Sequence, residues 1–517
     1  MDYMVGMDIG TTSTKAVLYD LDGNVLAYTN KLYPLYRDAT GMAEEDPEEI
    51  LEAVVNGLQE ILRKADLKNG KLHGVSFSSA NQSLIALDKN HKPLTRVITW
   101  ADTRATKYAD QLKADGTGKT LYEHTGTPIH PMSLLCKLLW LKNDHADIYK
   151  KAAYYCGIKE YIFYRLLDVW QMDISVASGT GIFNIFDLDW DKDALALTGV
   201  TTDQLPKIVD GYAQSTGMRD EYAKVIGYPK DVPFIQGAFD GALSNLGVNA
   251  IDEGVVAVTI GTSGAVRVVT DHPVIDPKGR VFCYALTKDL WVVGGPVNNG
   301  GVVFRWARDN LFDAEKSTAA LLQEDSYDLL TEIAKRVPAG SDGLLFHPFL
   351  GGERAPIWDA DARGSFFGLT QMHTRAHMIR AVLEGIVYNL YTVLLALEEV
   401  VGEPKSIMAT GGFARSELWR QMLSDIFEQP VTIPESFESS CLGAAVIGMK
   451  SLGLIDNLSD VKKFVGETNT YQPNPENFDV YRELVPIYIR LSRQLQTEYT
   501  NIANFQKKHA QHGETQE

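Results

Sequence analysis

Two short stretches of this chain share one pattern. Val5, Met7 and Ile9 alternate with smaller or polar residues, Gly10-Thr11-Thr12-Ser13 interrupts them, and Ala16-Val17-Leu18-Tyr19 resumes an apolar run before Asp22-Gly23-Asn24 turns the chain again. Roughly half a chain later, GVVAVTIGTSGAVRVVTD (Gly254–Asp271) repeats the arrangement, with Ile260-Gly261-Thr262-Ser263-Gly264 at its centre. Alternation of this kind reads as β-strands, and a Gly-rich connection between two of them reads as a hairpin. A strand, glycine–hydroxyl turn and strand unit that occurs twice points to two similar sheet-based domains descended from a duplication.

Each turn taken alone has two readings. Glycine, threonine and serine populate hairpin tips for backbone reasons. The same residues can form an anion cradle, in which glycine lets N–H groups face a phosphate, Thr11, Thr12 and Ser13 add hydroxyl donors and Lys15 adds a cation. Asp8, beside the first turn, would then hold a metal ion near the phosphate. The G-x-x-x-x-G-K-[ST] loop does not match this segment.

A length of 517 residues implies more than one domain, and 45% hydrophobic residues suffice for extensive cores. The net charge of −18, from 49 basic and 67 acidic residues, argues against nucleic acid as the main partner. A local cradle can still take ATP. Cys136, Cys156, Cys283 and Cys441 are scattered without C-x-x-C or metal spacing, as expected of buried thiols in a reducing compartment. The N-terminus reads as a strand, not a signal segment, and no run of eighteen apolar residues occurs. The expectation is a cytoplasmic globular protein with no membrane partner.

Between the two turns, strand and helix patterns alternate. Asp46-Pro47-Glu48-Glu49 supplies an N-cap, a first-position proline and a glutamate three residues after the cap, and Ile50, Val54, Leu58, Ile61 and Leu62 mark the buried face of the helix that follows. Strands are expected at Leu72–Phe77, Leu84–Asp88 and Val232–Gln236, with residues 96–190 as an insertion on the first domain. Further on, Met378–Val401 reads as a long helix, Ile407–Thr410 as a strand ending at Gly411-Gly412, and Ser416–Phe427 as a helix. The tail is helical from about Phe478 to Phe505, and its last dozen residues are polar and expected to fray. The fold class is α/β.

Gly364-Ser365-Phe366-Phe367-Gly368-Leu369, then seven residues, then His377-Met378-Ile379-Arg380-Ala381-Val382-Leu383-Glu384, resembles the C-terminal signature of the FGGY carbohydrate kinases, part of the actin-like ATPase group. GGERAPIWDADARG (Gly351–Gly364) is equally typical. Lys137-Leu138-Leu139-Trp140-Leu141 fits the N-terminal signature, although Leu134 stands where a small or hydroxyl residue is usual. The resemblance runs from about Tyr3 to Gly453.

It implies two duplicated ribonuclease-H-like domains around a nucleotide cleft, at residues 1–246 and 254–453, with a helical tail at 454–517. It further implies ATP and Mg²⁺ as cofactors. Gly10, Thr11, Thr12 and Lys15 match the first phosphate loop and Gly261, Thr262 and Ser263 the second, while Gly301, Arg305, Gly411, Gly412 and Ser416 fall where the nucleoside packs. Asp8 matches the metal-holding aspartate. Asp240, which alone reads as a helix cap before Gly241-Ala242-Leu243-Ser244, matches the general base and stands beside the metal.

The acceptor candidates are Asn81, Gln82, Trp100, Asp102, Arg104, His130 and Met132, where Trp100 could equally be a core anchor and Asp102 with Arg104 a surface ion pair. SFSSANQSLIALD, TGTPIHPMS and GIKEYIFYRLLD most resemble gluconate kinases, then xylulose kinases. Both groups usually carry Met-His in place of Asn81-Gln82. A gluconate carboxylate calls for a cation, with Lys159 or Arg104 as candidates. The expectation is conversion of D-gluconate to 6-phosphogluconate; a xylulose kinase and a non-catalytic nucleotide-binding regulator are the alternatives. Dimers are common among such relatives.

Overall fold

A computed structural model describes residues 2–65, 67–435, 438–466 and 468–509; the polar end expected to fray falls largely at 510–517, outside the described residues. The chain forms two units, one of Met1–Glu253, Val268–Val293 and Glu435–Glu467, the other of Gly254–Arg267, Gly294–Pro434 and Thr468–Glu517.

In the first unit a six-stranded mixed sheet runs in the order Gln214–Ser215, Phe234–Phe239, Lys71–Ser79, Asp2–Ile9, Ser13–Asp20, Val25–Leu32. Asp2–Ile9 and Ser13–Asp20 form the expected antiparallel hairpin, with Asp8 opposite Lys15. Lys71–Ser79 joins Asp2–Ile9 in parallel, placing Ser78 opposite Asp8. The strand expected at Val232–Gln236 instead continues through Phe239, so Asp240 begins a helix directly at the strand's end.

Helix Pro47–Lys64 starts as its sequence dictates: the Asp46 carboxylate accepts the Glu48 N–H at 2.8 Å and Pro47 needs no partner for a missing donor. Ile50, Val54, Leu58 and Ile61 are fully buried. Glu49 does not reach back to the cap; its Oε1 accepts the Tyr36 hydroxyl at 3.0 Å, because an adjacent strand offers a donor.

Helices Asp240–Gly247 and Ser439–Ser451 cross with almost no space between their backbones. A Cβ on Gly443 would lie 2.1 Å from the Leu243 carbonyl oxygen, and one on Gly247 1.9 Å from that of Ser439. Only glycine permits such an approach, and it seats the first turn carrying Asp240.

The second large sheet runs in the order Phe282–Thr287, Leu290–Val297, Gly264–Thr270, Val255–Ile260, Ser406–Thr410, Val431–Pro434, Thr468–Tyr471. Val255–Ile260 and Ser406–Thr410 pair in parallel, and Thr468–Tyr471 adds an antiparallel edge. Residues 454–466 belong to the first unit, whereas that edge strand and the helices Phe478–Gln494 and Gln496–His509 belong to the second.

Helix Arg375–Val401 is long and apolar enough to cross a membrane, yet it is mostly buried within the protein. In its third turn the signature residue Glu384 accepts the Gly340 N–H (2.9 Å), the Ser341 hydroxyl (2.9 Å), Arg380 Nε (2.8 Å) and the Tyr481 hydroxyl (3.0 Å). That part of the signature therefore builds the second unit's interior. All four cysteines are free and buried.

Candidate active site

In the first unit the Gly10–Thr12 turn is braced from three directions. The Gly10 N–H donates to the Ser13 carbonyl (2.9 Å), the Tyr33 hydroxyl donates to the Gly10 carbonyl (2.5 Å), and Trp100 Nε1 donates to the Thr11 hydroxyl (2.8 Å). Trp100 is thus tied to the loop through its indole N–H. Asp8, half-buried, accepts the Ser78 hydroxyl at 2.6 Å. Burial lifts its pKa above the ordinary aspartate value, the Ser78 hydroxyl and Lys15 pull it back, and Glu438 adds to the rise.

Lys15 donates to Glu438 at 2.7 Å. Burial alone would lower the Lys15 pKa, but Glu438, with Asp8 behind it, raises it above the usual lysine value. The predicted phosphate-loop cation is therefore charged and paired with a residue 423 positions away.

Asp240 is the first residue of its helix and half-buried; Phe239 takes the cap position. Its Oδ1 accepts the N–H of Gly241 at 2.7 Å, and its carbonyl accepts the Ser440 hydroxyl at 3.4 Å.

The acceptor candidates divide. Asn81 accepts the Gln82 N–H at 2.6 Å, and Gln82 sits in the left-handed region at φ 63°. A Cβ on Gly179 would lie 2.2 Å from Asn81 Nδ2, so the amide occupies space that only glycine leaves. His130 is half-buried, with Nδ1 accepting the Met132 N–H at 3.3 Å, whereas Met132 is buried in the core.

Asp102 and Arg104 form an ion pair in which Asp102 is buried and Arg104 half-buried. Asp102 accepts the Ala43 N–H (3.0 Å) and Arg104 Nε (2.9 Å), and Arg104 also donates to Glu44 (2.5 Å) and stacks on Trp140 (4.5 Å). Lys159 is sealed against Asp173 and the Gln236 carbonyl, with both charged side chains fully buried. Neither cation suggested for a substrate carboxylate has an uncommitted charge.

Beside this network, Lys137 donates to the carbonyls of Gln82 and Ile98, fastening both acceptor segments. Burial lowers its pKa to about 7. Glu45 is buried, and desolvation, opposed by Lys137, raises its pKa to about 8. An acid raised in the folded state binds more protons there than in the unfolded chain, so its ionisation costs stability progressively from about pH 4.3 upward until it is complete past about pH 8. Glu45→Gln removes that cost. Its thermal midpoint, relative to the parent protein, is expected to rise between about pH 5 and about pH 8. An equal offset at both pH values in parallel melting curves would refute this.

In the second unit the Gly261 N–H donates to the Ser263 carbonyl at 2.9 Å, and the loop is stitched to the start of helix Gly301–Asn310. The Gly301 N–H donates to the Gly261 carbonyl (2.7 Å) and the Val302 N–H to the Thr262 carbonyl (3.0 Å). These residues open a cavity of about 510 Å³. Of the predicted nucleotide residues, Gly261, Thr262, Gly301, Arg305, Gly412 and Ser416 line it. Ser263 and Gly411 do not. Gly411, at φ 114°, is a close approach instead: its Cβ would lie 2.2 Å from the Ile260 carbonyl oxygen. Ser416 also accepts the Trp419 N–H at 3.3 Å to cap its helix.

The wall that sequence reasoning missed comprises Phe304, Tyr327, Phe413 and Trp419, with Asp325, Asp328, Thr331 and Arg415. Phe304 packs on Tyr327 and Trp419 with ring centroids 5.3 and 5.6 Å apart. A flat apolar wall beside a glycine loop suits a nucleoside. Only Phe304, one turn after Gly301, and Phe413 and Arg415, just after Gly411-Gly412, carried a positional hint.

The N-terminal domain profile of the FGGY family of carbohydrate kinases matches residues 3–247, and the C-terminal domain profile matches residues 256–452. Fold and site thus define a carbohydrate kinase, and the chain belongs to the FGGY family. Among curated relatives, the gluconokinases of Bacillus licheniformis and Bacillus subtilis are each 52% identical over 98% of both chains. The xylulose kinase of B. subtilis is 28% identical over 98% of this chain and 100% of its own. A solved structure described as gluconate kinase from Lactobacillus acidophilus is 42% identical, with a TM-score of 0.92, covering 97% of this chain and 99% of that one.

Proposed function

We propose that this protein transfers the terminal phosphate of ATP to the primary hydroxyl of D-gluconate, yielding 6-phosphogluconate. The observation that carries the choice of acceptor is the 52% identity to two gluconokinases along nearly the whole of each chain, against 28% to a xylulose kinase of similar coverage. The aromatic-walled cavity with its stitched glycine loop supports a nucleoside with its phosphates toward Gly261 and Thr262. Gly10, Thr11, Thr12 and Lys15 are assigned to phosphate, with the Lys15–Glu438 pair keeping the ammonium charged.

Phosphoryl transfer asks the protein mainly for alignment, charge neutralisation and removal of the hydroxyl proton. Asp240 is assigned the last task, because its carboxylate sits at an ordered helix start and only half-buried. Asp8 fits Mg²⁺: it is a hard oxygen donor, partly desolvated, whose ionised form a divalent cation would favour. When bound, Mg²⁺ would neutralise phosphate charge. Because Lys159 and Arg104 are committed to other carboxylates, recognition of gluconate falls to Asn81, Gln82, Trp100 and His130 through neutral donors. The four free thiols support a cytoplasmic setting.

A xylulose kinase is the second reading, favoured by a structure described as ligand-bound xylulose kinase from L. acidophilus at 42% identity and TM-score 0.92. A coupled ADP-release assay over gluconate, xylulose, ribulose and glycerol tests both. The kcat/KM for gluconate is expected to exceed that for xylulose by about a hundredfold or more, since xylulose lacks the carboxylate that the site's polar groups would pair with. Equal or greater efficiency with xylulose would reverse the assignment, and no polyol-stimulated ATP consumption would restore the regulator.

A further inference from the structure

Glu353, in the Gly351–Gly364 motif, is 1% exposed and lies outside the cavity lining, yet four N–H groups converge on its carboxylate. Oε1 accepts the backbone N–H groups of Asn298 (2.5 Å) and Arg354 (2.7 Å). Oε2 accepts the side-chain amides of Asn299 (2.8 Å) and Asn389 (2.6 Å). These four donors are uncharged. Asn298 and Asn299 are each tied a second time, Asn298 Nδ2 to the Gly351 carbonyl at 3.1 Å and Asn299 Nδ2 to the Gly352 carbonyl at 2.7 Å.

The residues that follow are the ones that meet the phosphate loop. A Cβ on Gly300 would lie 2.5 Å from the Ser263 carbonyl, and one on Gly301 2.8 Å from the Gly261 oxygen. Glu353 therefore holds Asn298 and Asn299, these fix where Gly300 and Gly301 enter their helix, and two backbone hydrogen bonds from that helix start set Gly261 and Thr262. Displacing the first link shifts the Gly261–Thr262 loop against the helix start that carries Gly301 and Phe304.

We propose that Glu353 is a positioning residue for the nucleotide: it sets the register between the Gly261–Ser263 loop and the Gly301 helix start, and hence nucleotide affinity. The proposal rests on the reading of the 510 Å³ cavity as a nucleoside site. Glu353→Gln keeps size but turns one acceptor into a donor facing other donors. Asn299→Ala removes only one leg and leaves the carboxylate's backbone partners in place.

The test is calorimetric titration of the full chain with ADP, alongside KM for ATP and for gluconate and a thermal melt of each variant. ADP affinity and KM for ATP are expected to worsen about tenfold or more in Glu353→Gln and about threefold in Asn299→Ala, with KM for gluconate within about twofold of the parent. Unchanged ADP affinity in folded variants, or an equal rise in both KM values, would overturn the proposal while leaving the nucleoside site standing. If Glu353→Gln fails to fold, Asn299→Ala decides. Failure of the parent chain to bind ADP would remove the proposal and the nucleoside reading together.

Discussion

Asp240→Asn is expected to lower turnover by about 10²–10⁴-fold, the usual contribution of a positioned general base, while ADP affinity stays within about twofold. Asparagine keeps the shape and can still accept the Gly241 N–H that Asp240 accepts at 2.7 Å. The helix, held by the glycine crossing of Gly443 at Leu243 and of Gly247 at its end, has no cause to move. What is lost is a carboxylate able to take a proton. Steady-state ADP release at saturating substrates measures the loss, and titration with ADP checks the affinity. Near-normal turnover in the variant would remove Asp240 from the role of base.

The second large effect is on stability. Asp173→Asn is expected to cost about 3–5 kcal/mol, because it leaves the ammonium of Lys159 buried without its counter-charge. Both side chains are fully buried, and the Gln236 carbonyl at 2.9 Å is a neutral partner only. Asparagine can still accept the Ser175 and Val176 N–H groups that Asp173 Oδ1 accepts at 3.0 Å, so the loss reports the charge and not the helix cap. Urea unfolding of the variant measures it. Adding Lys159→Met is expected to recover much of the loss, since a buried pair replaced by apolar groups is near neutral. No recovery in the double variant would mean that the pair's charges are not what the fold depends on. A small cost for Asp173→Asn alone would return Lys159 to the candidates for the substrate carboxylate.

Much of the framework was legible because it is local. The period-two runs around Gly10 and Gly261, the Asp46-Pro47 helix start and the face Ile50–Leu62 each follow from neighbours within one or two turns, and each formed as expected. The exceptions are also local in cause. Glu49 turned to Tyr36, and the strand at Phe234 ran on to Phe239, where it delivers Asp240 at its very end. Spacing alone could not decide either point, because a carboxylate takes the nearest donor and a strand continues as long as a partner strand does.

Asp102 shows the limit on the acceptor side. Its neighbours Trp100 and Arg104 were in view, yet Glu44 and the Ala43 N–H, which commit the charges, come from a strand some sixty residues earlier. Lys15 shows it for the phosphate loop, since its partner Glu438 arrives from near the other end of the chain. The cavity wall of Phe304, Tyr327, Phe413 and Trp419 is assembled from three separate segments, and nothing in the composition of residues 325–331 distinguishes them from an ordinary amphipathic helix.

By itself, then, the order of residues determined the strands, the turns and the helix faces. These depend on interactions whose range is a few residues. Which charges are neutralised, which side chains remain open to a ligand and which acid stands at a helix start were decided only when distant segments met. Burial and ion pairing depend on what the folded chain brings within a few ångströms, and sequence separation does not encode that distance.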